Sequence, residues 1–200
     1  MLKLLLDDKE ISLSNLPKNI TLDVQGNSTI ILYSFKGNGN LSIIARGNNT
    51  IYFGKDNIIE KGTVRIIANN FTNRISEGTC KVGERNKFRG NLFIYLPTGK
   101  DKRVEIGNDN LFAANSEIVA CLEHPVFIDG DLSNKEDNVT IGNHNWIGRD
   151  VLFMTKGGVQ NDSVVGIRSL VTKKFNKSNI VVAGNPAKIK KENIDWDEVL

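Results

Sequence analysis

The fold of this chain is decided by residues 139–171, which read VTIGNHNWIGRDVLFMTKGGVQNDSVVGIRSLV. Large apolar residues recur there at every sixth position without a slip. The positions are Ile141, Ile147, Phe153, Val159, Val165 and Val171. A helix repeats every 3.6 residues and a simple strand every two, so neither accounts for this period. A solenoid does, because each six-residue unit then forms one short strand and one corner, and coils stacked about 4.8 Å apart bury the aliphatic side chains.

The period continues on the N-terminal side and becomes uneven further upstream. The same phase recurs at Ile106, Phe112 and Ile118, and again at Val82, Phe88 and Ile94. Eight of the 18 glycines are followed by asparagine, and both residue types tolerate the left-handed backbone of a tight corner. Over residues 20–60 the spacing is irregular, and the hairpin turns of an ordinary antiparallel β-protein are an alternative there.

We therefore expect an all-β chain in three parts. Residues 1–80 form an irregular N-terminal β region, or cap, that is continuous with the solenoid, and residues 81–189 form the regular solenoid. Residues 190–200 form a tail with a short C-terminal helix. A polar stretch interrupts the repeat between Cys121 and Val139, which predicts a loop extruded from the wall near residues 124–138.

Composition excludes several classes of protein. Lys and Arg number 26 against 23 Asp and Glu, and a net charge of +3 is too small for a chain that coats nucleic acid. The apolar opening at residues 1–6 contains Lys3 and is too short for a signal peptide or a membrane span, so we expect a cytoplasmic protein with no membrane partner. Cys80 and Cys121 form no CxxC pair, so we expect two packed thiols, no disulfide and no metal.

Three segments carry a resemblance to a known family. They are residues 124–126 (HPV), 139–148 (VTIGNHNWIG) and 181–188 (VVAGNPAK). Together they resemble the hexapeptide-repeat O-acetyltransferases, which include the maltose and galactoside acetyltransferases and many capsule and lipopolysaccharide acetyltransferases. The resemblance covers about residues 104–195. It implies a left-handed parallel β-helix, a homotrimer with active sites between neighbouring subunits, acetyl-CoA in the groove between them, and a histidine as general base.

Transfer of an acetyl group to a hydroxyl needs a base that works near neutral pH, and the chain has only two histidines. His124 lies where the repeat breaks, beside Pro125, and the alternative for it is an ordinary surface histidine. The resemblance makes His124 the general base, whereas His144 is expected at a solvated corner. Asn115 and Glu123 are candidates for orienting the base and contacting the acceptor, and a main-chain carbonyl is an alternative orienting group. No Ser or Cys nucleophile is paired with a histidine, which favours direct transfer.

The remaining candidates concern the donor. Trp146 precedes an inward isoleucine and should point outward, either into the site, as the resemblance implies, or into a trimer interface. By resemblance, Trp146 acts in catalysis and contacts the cofactor. Further cofactor contacts are implied along the wall and at the phosphates. They are Gly148, Gly166, Ile167 and Thr172 on the wall, and Lys173, Lys188 and Lys191 at the phosphates. The alternative for the lysines is a solvated face.

The predicted function is an acetyl-CoA-dependent O-acetyltransferase that acts on a carbohydrate hydroxyl of a bacterial capsule or lipopolysaccharide. Two alternatives remain open: an N-acetyltransferase of an amino sugar or nucleotide sugar, and a non-catalytic β-solenoid that binds a partner. An ice-binding face would need regular outward threonines, which are absent from the sequence. A solenoid carbonic anhydrase would need three histidine ligands for zinc, and only His124 and His144 are present.

Overall fold

The structure is a computed structural model that describes residues 2–68, 76–121, 124–133 and 135–199. Its N-terminal half contains β1 (Lys3–Leu6), β2 (Lys9–Glu10), β3 (Ile20–Gln25), β4 (Thr29–Leu32), β5 (Asn40–Arg46), β6 (Thr50–Phe53), β7 (Ile58–Ile59), β8 (Thr63–Ala68), β9 (Thr79–Val82), β10 (Lys87–Phe88) and β11 (Leu92–Tyr95). Within the described ranges, the one helical segment is a 3-10 turn at Leu13–Asn15.

The second half also consists of short β-strands. It contains β12 (Arg103–Ile106), β13 (Leu111–Phe112), β14 (Ser116–Val119), β15 (Phe127–Ile128), β16 (Asp131–Leu132), β17 (Val139–Ile141), β18 (Trp146–Ile147), β19 (Leu152–Met154), β20 (Gly158–Val159), β21 (Val164–Val165), β22 (Leu170–Val171), β23 (Lys174–Phe175), β24 (Ile180–Ala183) and β25 (Lys188–Glu192). Most strands are only two to four residues long, as a solenoid with frequent corners requires.

These strands form the three walls of a parallel β-helix. Sheet A has the order β2-β1-β4-β6-β9-β12-β17-β20-β23, sheet B has β22-β19-β14-β11-β8-β5-β3, and sheet C has β25-β24-β21-β18-β13-β10-β7. Each coil passes from sheet A to sheet C and then to sheet B before it returns to sheet A. Sheet B therefore lies between two corners, the C/B corner where the chain enters it and the B/A corner where the chain leaves it.

The predicted inward column is confirmed. All six side chains of the repeat, from Ile141 to Val171, are at most 1% exposed. Phenylalanines stack within the same core, with ring centroids 6.2 Å apart for Phe53 and Phe88 and 5.3 Å apart for Phe88 and Phe112. Buried contacts of this kind between coils supply the hydrophobic stabilisation that short strands lack individually.

Buried asparagines connect the coils at the corner between sheets A and C. The side-chain oxygen of Asn57 accepts a bond from the backbone N–H of Asn86 at 2.8 Å. Asn86 does the same for Asn110 and Asn110 for Asn145, each at 2.9 Å. The side-chain oxygen of Asn145 then accepts from Ser163 N–H at 2.9 Å. This asparagine spine satisfies backbone groups that the tight corner would leave unpaired in the core.

Four of the eight glycines that precede asparagine have the left-handed backbone predicted, with φ between 103° and 109°: Gly26, Gly37, Gly47 and Gly184. Other corner glycines have a different role. At the corners that begin with Gly107 and Gly142, the left-handed residues are Asp109 and His144, two positions later, with φ of 59° and 51°. A Cβ on Gly107 would lie 2.3 Å from Asn143 Oδ1, and a Cβ on Gly142 would lie 2.4 Å from Asn161 Oδ1. These glycines are needed because the stacked coils approach so closely, rather than for their backbone angles.

The N-terminal region belongs to the same solenoid. Its coils are longer and uneven, but β3 pairs with β5 and β4 pairs with β6 in parallel. The alternative of antiparallel hairpins over residues 20–60 is therefore wrong. A hairpin does occur earlier, where β1 pairs antiparallel with β2.

The extruded loop is confirmed, whereas the C-terminal helix is not. Between β14 and β17 the chain leaves the wall and forms the exposed antiparallel hairpin β15–β16. The expectation of a short helix in residues 190–200 is wrong, because β25 turns back and pairs antiparallel with β24. The edge of β24 has backbone groups without a next coil, and a strand can pair with them where a helix cannot. No helix in the described part of the chain is long and apolar enough to cross a membrane.

Candidate active site

A groove at the C/B corner contains four of the predicted site residues. It has a volume of about 370 Å³. Its lining residues are Ala113, Trp146, Gly148, Arg149, Val164, Val165, Gly166 and Ile167. Trp146 points outward and is 44% exposed, while its neighbour Ile147 is fully buried. The predicted contacts Trp146, Gly148, Gly166 and Ile167 thus lie together at one corner.

Close packing between coils requires glycine at positions 148 and 166 of the groove. A Cβ on Gly148 would lie 2.7 Å from the carbonyl oxygen of Val165, and a Cβ on Gly166 would lie 2.8 Å from Ala183 Cβ. The N–H groups of both glycines are used between coils, since Gly148 donates to Val165 O and Gly166 donates to Val182 O, each at 2.8 Å.

The predicted lysines on β25 lie above this groove. Lys191 is paired with Val181, which is paired with Val164, which is paired with Trp146. Three strand spacings of about 4.8 Å therefore separate Lys191 from Trp146 along one row of sheet C. Lys188 is paired with Ala183, the residue that packs over Gly166. Both lysines are exposed.

The other two predicted cofactor residues, Thr172 and Lys173, lie in a second groove at the B/A corner. Its volume is about 410 Å³. The lining residues are Arg103, Asp137, Asn138, Thr140, Lys156, Thr172, Lys173 and Lys174. Four of these residues are cationic and only Asp137 is acidic, so the groove has an excess of positive charge that attracts anions. Within a single chain, β22 separates Thr172 and Lys173 from the groove that contains Gly166 and Ile167.

Sequence reasoning missed Arg103, Lys156 and Lys174 in this groove. The sequence does contain a signal for Lys156 and Lys174, which lie 18 residues apart. Three repeats of six residues make one full coil, so the two lysines occupy the same corner of successive coils. Arg103 gives no such signal, since the loop between residues 121 and 139 breaks the register. Lys173 also lies over the ring of Phe175, with Nζ 5.5 Å from the centroid.

His124 begins the extruded loop and is exposed. The loop leaves sheet B after β14 and rejoins sheet A at β17, so it belongs to the B/A corner. The segment of the loop just before β17 is held by hydrogen bonds at two residues, Glu136 and Asp137. The Glu136 carboxylate accepts bonds from the backbone N–H groups of Thr98 and Gly99, at 2.9 and 3.2 Å, and Asp137 N–H donates to Thr155 Oγ1 at 2.7 Å. The base of the loop is therefore anchored to the coils below and above it.

Asn115 and Glu123 were the two side chains predicted to orient His124, and the structure describes only Asn115. Asn115 is exposed, with φ of 59°, and lies at the C/B corner before β14, whereas His124 follows β14. The length of that strand separates them within one chain. Glu123 lies outside the described residues. His124 and Trp146 likewise lie on different sides of the solenoid, at the B/A corner and on sheet C.

His144 differs from the expectation of a solvated corner. Its Nδ1 lies 3.0 Å from Asp162 Oδ1, and its ring stacks on Trp196 with centroids 4.6 Å apart and planes 16° apart. Six left-handed corner residues stack along this edge, with φ between 51° and 59°. They are Asp56, Arg85, Asp109, His144, Asp162 and Asn179. Arg85 donates to both Asp109 oxygens, at 2.7 and 2.9 Å, so neighbouring residues of this column are also joined by an ion pair.

The outer surface of sheet B carries one apolar row between the two grooves, beside a second outward row that includes the exposed Arg65 and Glu117. One register row consists of half-buried residues, while the residues on either side of it in each strand face the core. The row is Ile44, Ile67, Tyr95, Val119 and Met154. The sequence shows this row poorly, because its residues and the inward residues beside them are both apolar. The two cysteines are buried thiols, as predicted. Burial raises the pKa of the Cys80 thiol to about 12.

Comparison with known proteins identifies the class. No protein-family model matches the chain. A polysialic acid O-acetyltransferase of Neisseria meningitidis is 30% identical over 164 residues, which cover 74% of this chain and 75% of that protein. A galactoside O-acetyltransferase of Escherichia coli strain K12 is 33% identical over 102 residues, 49% of this chain and 48% of that protein. The crystal structure of the polysialic acid O-acetyltransferase OatWY matches with a TM-score of 0.70 and 25% identity, covering 100% of this chain and 92% of that chain.

The solenoid is a left-handed parallel β-helix, and the protein is an acyltransferase of the hexapeptide-repeat class. Within that class, the chain belongs to the family of O-acetyltransferases that includes the polysialic acid enzyme of Neisseria meningitidis.

Proposed function

We propose that this O-acetyltransferase transfers an acetyl group from acetyl-CoA to a hydroxyl of an acidic bacterial surface polysaccharide of the polysialic acid type. The observation that carries the proposal is the placement of two complementary grooves on either side of sheet B. The Neisseria meningitidis relative, three quarters of whose length aligns with this chain, acts by its name on polysialic acid. A polymer with repeated carboxylates also suits the cationic B/A corner.

The complete active site forms between subunits of a homotrimer. Three chains that pack their sheet B surfaces around a threefold axis would bury the row from Ile44 to Met154. Because sheet B lies between the two corners, this packing places the C/B corner of one chain beside the B/A corner of its neighbour. The groove of Trp146 would then face a neighbour's His124 and Lys173. That arrangement brings together residues that a single chain keeps apart.

The donor fits the composite groove by chemistry. Acetyl-CoA supplies an activated thioester, an amide-containing arm and several phosphates. Gly148, Gly166 and the exposed Ile167 line the groove and are the proposed contacts for the arm. Lys173, with Arg103, Lys156 and Lys174 beside it, offers cations to phosphates or to the acidic acceptor. Lys188 and Lys191 offer further cations at the other end of the groove.

His124 acts as the general base in a direct transfer. Its imidazole accepts the proton of the acceptor hydroxyl while the hydroxyl oxygen attacks the thioester carbonyl. The C–S bond then breaks, an ester forms, and the thiolate takes the proton back from His124. The indole N–H of Trp146 donates to the carbonyl oxygen as negative charge develops there. The buried Cys80 thiol is unsuited to a covalent route, because its raised pKa keeps it protonated.

The test is an acetylation assay with purified protein, labelled acetyl-CoA and polysialic acid, with uncharged polysaccharides as comparison. We expect label in the acidic polymer, released by mild alkali because an ester is saponified. Alkali-stable label would instead indicate an amide and the N-acetyltransferase alternative. Absence of transfer to any glycan, together with absence of CoA binding, would refute the proposal.

A further inference from the structure

The C-terminal tail crosses sheet C and ends beside the coils of the middle of the solenoid. After β25, residues 193–199 run along the corner between sheets A and C. Ile194 N–H donates to the carbonyl oxygen of Asn179 at 3.0 Å, at the level of the last coil. Trp196 Nε1–H donates to the carbonyl oxygen of His144 at 2.9 Å, two strands of sheet C further down. Glu198 pairs with Lys87 and Arg89, two strands further again.

These contacts hold the tail in one position. Glu198 accepts from Arg89 at 2.6 Å and also binds Lys87, so one carboxylate is shared between two cations. Trp196 is fixed both by its N–H bond and by stacking on the His144 ring. That ring is itself fixed by Asp162, at 3.0 Å. The tail is therefore a strap anchored above and below the level of Trp146.

Trp196 lies against the candidate catalytic tryptophan. The ring centroids of Trp146 and Trp196 are 6.3 Å apart, with planes tilted by 37°. The groove at the C/B corner contacts Trp146 from its other side, because that groove is lined by Gly148 and Val164 and not by the tail. An indole that is 44% exposed has several side-chain orientations open to it unless a neighbour excludes them. Trp196 is the neighbour that occupies the side away from the groove.

We infer that Trp196 is a positioning residue, which holds the Trp146 indole in the orientation it needs toward the acyl group. The inference rests on the proposed role of Trp146 and adds a residue outside the matching segments of the sequence. Trp196 acts through Trp146 and does not itself touch the reacting atoms. A small displacement of a group that contacts the transition state has a large effect on rate, whereas donor binding depends on many other contacts.

The test uses Trp196→Ala and Trp196→Phe. Because the chain has only two tryptophans, Trp146 becomes the sole tryptophan in both variants, and its fluorescence can be excited selectively over that of the three tyrosines. We expect acrylamide to quench Trp146 more strongly in Trp196→Ala than in Trp196→Phe, where an aromatic ring remains. We also expect kcat to fall by about tenfold in Trp196→Ala while the KM for acetyl-CoA changes little, with partial rescue by Trp196→Phe. Val199→Ala, at a 75% exposed position of the same tail, is the matched control and should match the wild type.

A second variant covers the case in which Trp196→Ala does not fold. Glu198→Gln weakens the lower anchor without altering either tryptophan, and we expect faster hydrogen exchange of the Trp196 indole N–H together with a smaller loss of kcat. Equal quenching in the two Trp196 variants with unchanged kcat, or unchanged kcat in Glu198→Gln despite faster exchange, would overturn the inference. Quenching and exchange need no substrate, so a wild type without acetyl transfer would refute the proposed function separately.

Discussion

The backbone N–H of Asn110 donates to the side-chain oxygen of Asn86 at 2.9 Å, and both residues are at most 1% exposed. Asn110 in turn donates through Nδ2 to the carbonyl oxygen of Gly142 at 2.9 Å and accepts from Asn145 N–H at 2.9 Å. One side chain thus satisfies two backbone groups of the next coil, while the backbone of Asn110 is itself satisfied by the coil before. The solenoid depends on this relationship at every coil from Asn57 to Ser163.

Replacing Asn110 by alanine should therefore destabilise the fold strongly. The variant leaves the N–H of Asn145 and the carbonyl of Gly142 unpaired in the core, and each such group costs about 1–3 kcal/mol. We expect a loss of about 3 kcal/mol in the free energy of unfolding, measured by urea denaturation. Asn143→Ala is the control, because Asn143 is exposed and water can replace its bond to Asn108 N–H. Equal losses in both variants would contradict the assignment.

Replacing His124 by alanine should remove most of the turnover. A general base contributes about 10²- to 10⁴-fold, so kcat should fall in that range while the affinity for CoA and the thermal stability stay unchanged. Asp129→Asn is a matched control in the same extruded loop, since asparagine also tolerates its φ of 49°. Wild-type turnover in His124→Ala would exclude it as the base.

Mixed trimers test whether the active site is shared. If His124 and Trp146 of one site come from different chains, subunits with His124→Ala and subunits with Trp146→Ala complement each other. After the two inactive proteins are unfolded and refolded together in equal amounts, about one quarter of the interfaces should contain both native residues. Activity should return to about that fraction of the wild type. Simple mixing without refolding is the control, and a refolded mixture that stays inactive would place both residues in one chain's site.

Binding of CoA should stabilise the protein through the cationic groove. At a hundredfold excess over the Kd, a ligand raises the free energy of unfolding by about 2.7 kcal/mol, which is measurable by thermal unfolding. We expect this shift in the wild type and a smaller one in the double variant Lys156→Ala, Lys173→Ala. Lys9→Ala, on the distant hairpin β1–β2, should shift like the wild type. An unchanged shift in the double variant would assign the phosphates to other residues.

The buried Cys80 thiol should make stability fall in alkali. Its pKa is raised by burial from 9.0 to about 12, so above pH 9 the unfolded chain releases a proton that the folded chain retains. This contribution is fully present below pH 9 and is lost as the pH rises toward 12, at about 1.4 kcal/mol per pH unit. Urea denaturation at pH 8 and pH 10 should show a smaller decrease in Cys80→Ala than in the wild type. Equal decreases would mean that Cys80 ionises normally in the folded protein.

The period of six was enough to predict the solenoid, because the inward residues of residues 139–171 obey it without exception. It could not predict the ends. The tail pairs with β24 as a strand because an open sheet edge is present there, and an edge is a property of the assembled fold. In the candidate site, too, some residues were predicted from the sequence, whereas others come together only in the assembled fold. Gly148 and Gly166 were predicted as site residues from the family resemblance and line one groove, whereas Arg103 comes into the other groove only through the parallel pairing of β12 with β17.

Strand β25 has a consequence for how copies of the protein behave at high concentration. A parallel solenoid ends in strands whose backbone groups invite a further strand, and such edges are the usual starting points of fibrils. Sheet C instead ends on an antiparallel strand of sequence KIKKE, all five residues of which are exposed. A second molecule approaching this edge meets Lys188, Lys190 and Lys191 and would have to bury their charges. Lys188 and Lys191, which lie above the groove, therefore also hinder a second molecule from pairing with this edge of sheet C.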